Sequence, residues 1–181
     1  MSKEKFIEIF ERHIKRDGAK ELLEWLEKSD FFTAPASTRF HGSEEGGLLK
    51  HSLNVYERLK AINGENETTA ICALLHDLCK VNFYTTEMRN VKENGVWVQK
   101  PFYTVKDQLP YGHGEKSVYI ISGFMKLKRE EAMAINWHMG GFDYRAQSHA
   151  LTEAFEKYPL ALNLHIADMQ ATYLDEMKGE N

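Results

Sequence analysis

Residues Ala70 to Leu75 read Ala-Ile-Cys-Ala-Leu-Leu, an unbroken apolar run of six that passes directly into His76-Asp77. The run predicts a helix over Glu67 to Val81 that is apolar on every side for most of its length. Such a helix belongs at the centre of a fold, covered all round by other elements. A carboxylate at the end of a buried helix has to find a charged or hydrogen-bonding partner there. The run is far short of the ~20 residues that a membrane-spanning helix needs.

The rest of the chain supplies the cover. Lys3 to Arg16 places Phe6, Ile7, Ile9, Phe10 and Ile14 at helical spacing, and Asp17-Gly18 ends it. Ala19 to Lys28 carries Leu22, Leu23, Trp25 and Leu26. Asp30 to Gly47 is irregular. Gly47 to Ile62 puts Leu48, Val55, Leu59 and Ile62 on one side, with His51 between the first two, and Asn63-Gly64 stops it. Further helices are expected over Glu115 to Lys126, Arg129 to His138, Arg145 to Lys157 and Leu160 to Met177. Residues 82 to 111 differ: Val96-Trp97-Val98 and Phe102 to Val105 are strand-like, and Asn94-Gly95 is a strong hairpin turn signal. The expected fold class is all-α with one small inserted β-hairpin, in a single domain, as suits 181 residues.

Charge and cysteine usage narrow the function. With 23 Lys and Arg against 27 Asp and Glu, the net charge is −4, which argues against a basic nucleic-acid platform. An anionic substrate would have to be drawn in locally, by a metal or a few placed cations. Met1 to Phe6 lacks the apolar core of a signal peptide, so a cytoplasmic location is expected, with no membrane partner. Cys72 and Cys79, two turns apart on a helix, would be separated by about 10 Å along its axis, beyond disulfide reach. Both read as small core residues, and neither has zinc-ribbon spacing. A metal site would therefore come from His, Asp and Glu.

The eight histidines contain such a pattern. His51 lies on the third helix, the doublet His76-Asp77 on the fourth and Asp168 on the last. Imidazole and carboxylate are the donors that a hydrolytic divalent cation takes, and these four would form a site from three remote helices. Taken alone, His76-Asp77 is equally a helix-terminal His beside a capping Asp.

Three segments carry a family resemblance: Gly46-Gly47-Leu48-Leu49-Lys50-His51-Ser52-Leu53, Ala73-Leu74-Leu75-His76-Asp77-Leu78-Cys79-Lys80, and Ala167-Asp168-Met169-Gln170-Ala171. Together they resemble the HD superfamily of metal-dependent phosphohydrolases, over residues 36–176, with 1–35 as an N-terminal helical extension. The chain is similar to small HD proteins of bacteria and phages, and to the HD module of a bacterial 3′→5′ exoribonuclease. The resemblance implies an HD-type helical bundle with His51, His76, Asp77 and Asp168 around a first divalent ion. His113, just before a helix, and His138, at a helix end, would hold a second ion, with Asp77 bridging and a water between the ions as nucleophile. The doublet is often followed two residues on by Gly in this superfamily; Cys79 stands there instead, while Lys80 is retained.

Lys80 and Lys116 are the expected phosphate contacts, Lys116 because it lies in a first helical turn where backbone N–H groups also attract anions. Arg39 is a weaker candidate. His41 is a candidate substrate or supporting group, His165 a core or supporting histidine, and His13 and His149 surface residues. Trp137, Tyr111 and Tyr144 could stack on a base, though aromatic side chains in such a domain usually pack the core. The function expected is metal-dependent hydrolysis of a phosphate ester of a nucleotide or related phosphorylated small molecule, with Asp77, Lys80 and Lys116 in catalysis. One or two ions are implied, with Fe, Mn, Zn, Co, Ni and Mg not distinguished. A non-catalytic nucleotide-binding module, a structural metal site and a 3′→5′ exonuclease on single-stranded nucleic acid are the alternatives, the last disfavoured by the net charge. Oligomeric state and the role of the hairpin stay open.

Overall fold

The computed structural model describes residues 2–38 and 42–176. The apolar run lies in helix α4 (Glu67–Leu75), where Ala70 through Leu75 are all fully buried. Asn66 starts this helix by accepting the Thr69 N–H at 2.9 Å, which supplies one of the otherwise unpaired first-turn donors. Three helices cover it: α1 (Lys3–His13), α3 (Gly47–Asn63) and α6 (Arg129–Trp137). Around these pack α2 (Ala19–Lys28), α5 (His113–Ser122), α7 (His149–Lys157) and α8 (Pro159–Gln170), with α8 against both α3 and α6. Phe6 and Phe10 of α1, Leu22 and Leu26 of α2, Leu48, Leu53 and Leu59 of α3, and Leu164 of α8 form one core with α4. Each fully buried side chain of this size contributes roughly 1.5–3 kcal/mol.

Helix α4 ends earlier than expected, at Leu75 rather than Val81. The Cys79 N–H, which a continuing helix would give to the Leu75 carbonyl, donates instead to Ser117 Oγ of α5 at 3.0 Å. Asp77 leaves helical geometry (φ −103°, ψ 22°), and Leu78–Lys80 form a 3-10 turn. His76-Asp77 thus sits on a turn at the end of a dry helix. Helix α1 also stops short of Arg16, whose guanidinium is drawn to Glu131 of α6 and Glu67 of α4. Helix α7 begins at His149 rather than Arg145, because Arg145 is engaged by Asp143 and Glu115. Helix α8 opens on Pro159, whose missing N–H has no partner to lose there. Past Gln170 it widens into a π-helical turn, Ala171–Glu176, where an unbroken helix to Met177 was expected.

The hairpin pairs β1 (Tyr84–Glu93) with β2 (Val96–Val105), antiparallel and in register from Tyr84↔Val105 to Glu93↔Val96. Asn94 (φ 50°) and Gly95 (φ 85°) both adopt left-handed backbone, as a two-residue hairpin turn requires. Most of its side chains are exposed, Trp97 among them. Among the described residues, no helix is long and apolar enough to cross a membrane. Cys72 and Cys79 are buried free thiols.

Candidate metal centre

Five elements deliver six side chains to one place. His51 comes from the second turn of α3, His76 and Asp77 from the end of α4, His113 from the first residue of α5, His138 from the residue that caps α6, and Asp168 from the last turn of α8. Asp77 is the hub: Oδ1 lies 2.8 Å from His113 Nε2 and 3.5 Å from His138 Nε2, while Oδ2 lies 3.5 Å from His76 Nε2 and 3.6 Å from His51 Nε2. His51 Nε2 is also 3.2 Å from Asp168 Oδ1 and 3.2 Å from His76 Nε2. Three overlapping sets each keep their donor atoms within 4.8 Å of one another: His51, His76 and Asp77; His76, His138 and Asp168; Asp77, His113 and His138.

The hydrogen bonds of the rings leave lone pairs that could hold a cation. His76 Nδ1 donates to the Ala73 carbonyl at 2.9 Å, and His138 Nδ1 to the Ile135 carbonyl at 2.7 Å. A carbonyl only accepts, so in each neutral ring Nε2 carries a lone pair pointing inward. His138 Nε2 is buried and without a hydrogen-bond partner. His51 Nδ1 lies 3.1 and 3.2 Å from the two Glu176 oxygens, which places a proton there too. Three imidazole Nε2 atoms and two carboxylates therefore converge, and an N/O set of this kind suits a divalent cation.

Burial pushes His76 down to about 3, which keeps that ring neutral. Burial also lowers His51, but hydrogen bonds to Asp168 and Glu176 outweigh it and raise its pKa to about 10. His138 is raised, its burial overcome by Asp77, whereas burial prevails at His113 and lowers it. Asp77 stays ionised far below the usual carboxylate range: burial would raise it, but the charge of Lys80 outweighs that. At His51 and His138 a proton and a cation would compete for the same lone pair, so an ion bound there would displace protons.

The HD domain family model matches residues 48–173, more than half of the chain. The chain belongs to the HD domain family. HD domains bind divalent metals and as a superfamily are metal-dependent hydrolases. The matched span contains all six converging residues and the hairpin. No curated protein and no solved structure matches the chain.

Beside the HD cluster opens a cavity of about 660 Å³. His51, Asp77, Lys80 and Asp168 line its polar wall; Tyr84, Val105, Phe142, Met169 and Tyr173 form an apolar one. Tyr84 and Val105 are the base pair of the hairpin, so the insertion closes one side of the site. Lys80 Nζ donates to Asp77 Oδ2 at 2.6 Å and faces the cavity. Lys116 is placed differently from the expectation. It is buried, pairs with Asp107 at 2.6 Å, lies 4.8 Å over the Phe83 ring and does not line the cavity. It ties the segment after β2 to α5.

The other candidates fall as follows. Cys79 Sγ stands 3.5 Å from both His113 ring nitrogens, its pKa pushed up by burial to about 12, so it remains a thiol. His165 Nδ1 donates to the His138 carbonyl at 2.7 Å, and its ring fits against Gly140, where a Cβ would come within 2.5 Å. Arg39 and His41 lie outside the described residues. His13 bonds Glu65 at 2.9 Å, and His149 is exposed. Trp137 is buried beneath the Arg145 guanidinium, while Tyr111 and Tyr144 are exposed; none lines the cavity.

Glu176 was missed by sequence reasoning. It binds His51 and also accepts from Asn54 Nδ2 at 2.8 Å. Asn54, one turn along α3 from His51, was the available signal for a shared partner. The π-helical turn changes the phase of the helix after Asp168, so helical spacing could not place Glu176.

Proposed function

We propose that this HD domain is a phosphohydrolase that cleaves a phosphate ester of a nucleotide or related phosphorylated small molecule. One observation carries the reading: the Nε2 atoms of three histidines converge with two carboxylates beside a cavity of ligand size, and His138 Nε2 has no hydrogen-bond partner there. His51, His76, Asp77 and Asp168 would hold one divalent ion, and Asp77, His113 and His138 a second. Bound ions supply Lewis acidity toward a phosphoryl oxygen and activate water near neutral pH. Asp77 belongs to both sets and ties them together. Lys80, kept charged by Asp77, neutralises the phosphate and the negative charge that develops on the leaving oxygen. The opposite wall receives the base or other apolar part of the substrate, and the hairpin base restricts water on that side.

A small ester fits better than a polynucleotide. Among the described residues, Lys80 is the one Lys or Arg on the cavity wall, and the net charge is −4. The test is to strip the protein with a chelator and add back Mn, Zn, Co, Ni, Fe or Mg singly. Turnover is then followed on p-nitrophenyl phosphate esters, a nucleotide panel and single-stranded RNA. Metal-dependent release of phosphate from small esters is expected. Cleavage of RNA alone would replace the reading with an exonuclease. Tight nucleotide binding without turnover would replace it with a binding module.

A further inference from the structure

Glu176 ends the π-helical turn that continues α8. Such turns are rare and recur at functional sites, because their wider register redirects side chains that an α-helix would aim elsewhere. This one brings a carboxylate, its side chain only 2% exposed, against α3. Both Glu176 oxygens lie within 3.2 Å of His51 Nδ1, and Oε1 is held in addition by Asn54. The preceding residue, Asp175, receives Arg58 Nε and Nη2 at 2.9 and 2.5 Å. Helix α3 thus grips the turn at two successive residues, once at the surface and once in the interior.

We propose that Glu176 is a positioning residue for His51. It accepts the Nδ1–H, fixes the ring plane and leaves the Nε2 lone pair in the space shared with His76, Asp77 and Asp168. A neutral imidazole has two tautomers, and only the form protonated at Nδ1 leaves Nε2 free. His76 and His138 are locked by backbone carbonyls, which no substitution can remove. His51 is locked by a carboxylate, which also strengthens the ring as a donor. The consequence for ion affinity rests on the metal-centre reading above; the hydrogen bond itself does not.

The experiment uses the full chain with two readouts: Zn²⁺ affinity by titration against a competing chelator, and the proton NMR resonance of His51 Nδ1–H. Wild type should show a downfield, slowly exchanging Nδ1–H. Glu176→Ala should lose that resonance and about 10–100-fold in affinity, the range for removing such an orienting partner. Glu176→Gln, which keeps an accepting oxygen, should fall between. Asp175→Asn loosens the same turn through Arg58 and should stay within about twofold of wild type. The proposal is overturned if Glu176→Ala keeps the resonance or the affinity, or if Asp175→Asn loses as much as Glu176→Ala. A wild-type chain that takes up no Zn²⁺ would overturn the metal reading, while the Nδ1–H resonance would still decide whether Glu176 holds His51.

Discussion

Two buried clusters of charge lie at opposite ends of α4, and they are built on opposite principles. Glu131 is fully buried, yet its oxygens receive Arg16 twice at 2.6 Å, Thr68 Oγ1 at 2.8 Å and the Lys128 N–H at 2.7 Å. Every acceptor there meets a donor within the chain, so the cluster is a clamp between the segment after α1, α4 and α6. Around Asp77 and Asp168, His76 Nε2 and His138 Nε2 add lone pairs, and Lys80 and His113 are the donors that reach Asp77. A satisfied cluster stabilises a fold; a cluster in which lone pairs outnumber donors could hold a cation and contributes less to stability. The two should therefore respond to mutation in opposite ways.

The largest effect should come from Asp77→Asn. Activity should fall by more than about 100-fold, beyond the usual cost of removing an outer supporting group. Thermal stability in chelator should change far less than activity, because the new amide oxygen still accepts from Lys80 Nζ. Glu131→Gln should reverse the pattern. Urea unfolding should show a loss of about 3 kcal/mol, since Arg16 loses its bidentate counter-charge and keeps only Glu67 at 3.2 Å. kcat per folded molecule should stay within about twofold of wild type, because the site is untouched. A Glu131→Gln protein with full stability, or an Asp77→Asn protein that fails to fold, would erase the contrast.

Acid should separate the clusters as well. Burial would raise the Glu131 carboxyl, but the Arg16 hydrogen bonds outweigh it and hold its pKa below the ordinary 4.5. A depressed folded pKa stabilises above the unfolded value, and that stability is lost as pH falls through 4.5 toward the folded value. Unfolding free energies measured at neutral pH and at successive steps below pH 4.5 should converge for wild type and Glu131→Gln. Parallel curves would contradict the assignment.

The smallest effects come from the two lysines. Lys80→Met should lower kcat/KM by roughly 10–100-fold through lost charge stabilisation. Lys116→Met should leave it within about twofold, because that ammonium serves Asp107 rather than the cavity. Steady-state kinetics on the same ester would decide between them.

What was legible from sequence follows the same division. The α4 interior showed in its unbroken apolar run, and the hairpin turn in Asn94-Gly95, because both signals are local. The approach of His51, His76, Asp77, His113, His138 and Asp168 was legible through residue type at helix ends together with family resemblance. The misses depend on remote partners. Ser117 captures the Cys79 N–H and ends α4 early. Asp107 takes Lys116 away from the cavity. A π-helical turn rotates Glu176 into contact with His51. None of these three leaves a periodic trace in the chain.

The most direct measurement is ion uptake. The chelator-stripped full chain, dialysed against Mn²⁺ or Zn²⁺, should retain one or two equivalents by elemental analysis and melt at a higher temperature. Asp77→Asn, carried in parallel, should retain less and gain little. A wild-type chain that retains no ion and shows no shift in melting temperature would contradict the assignment of these converging side chains as a metal centre.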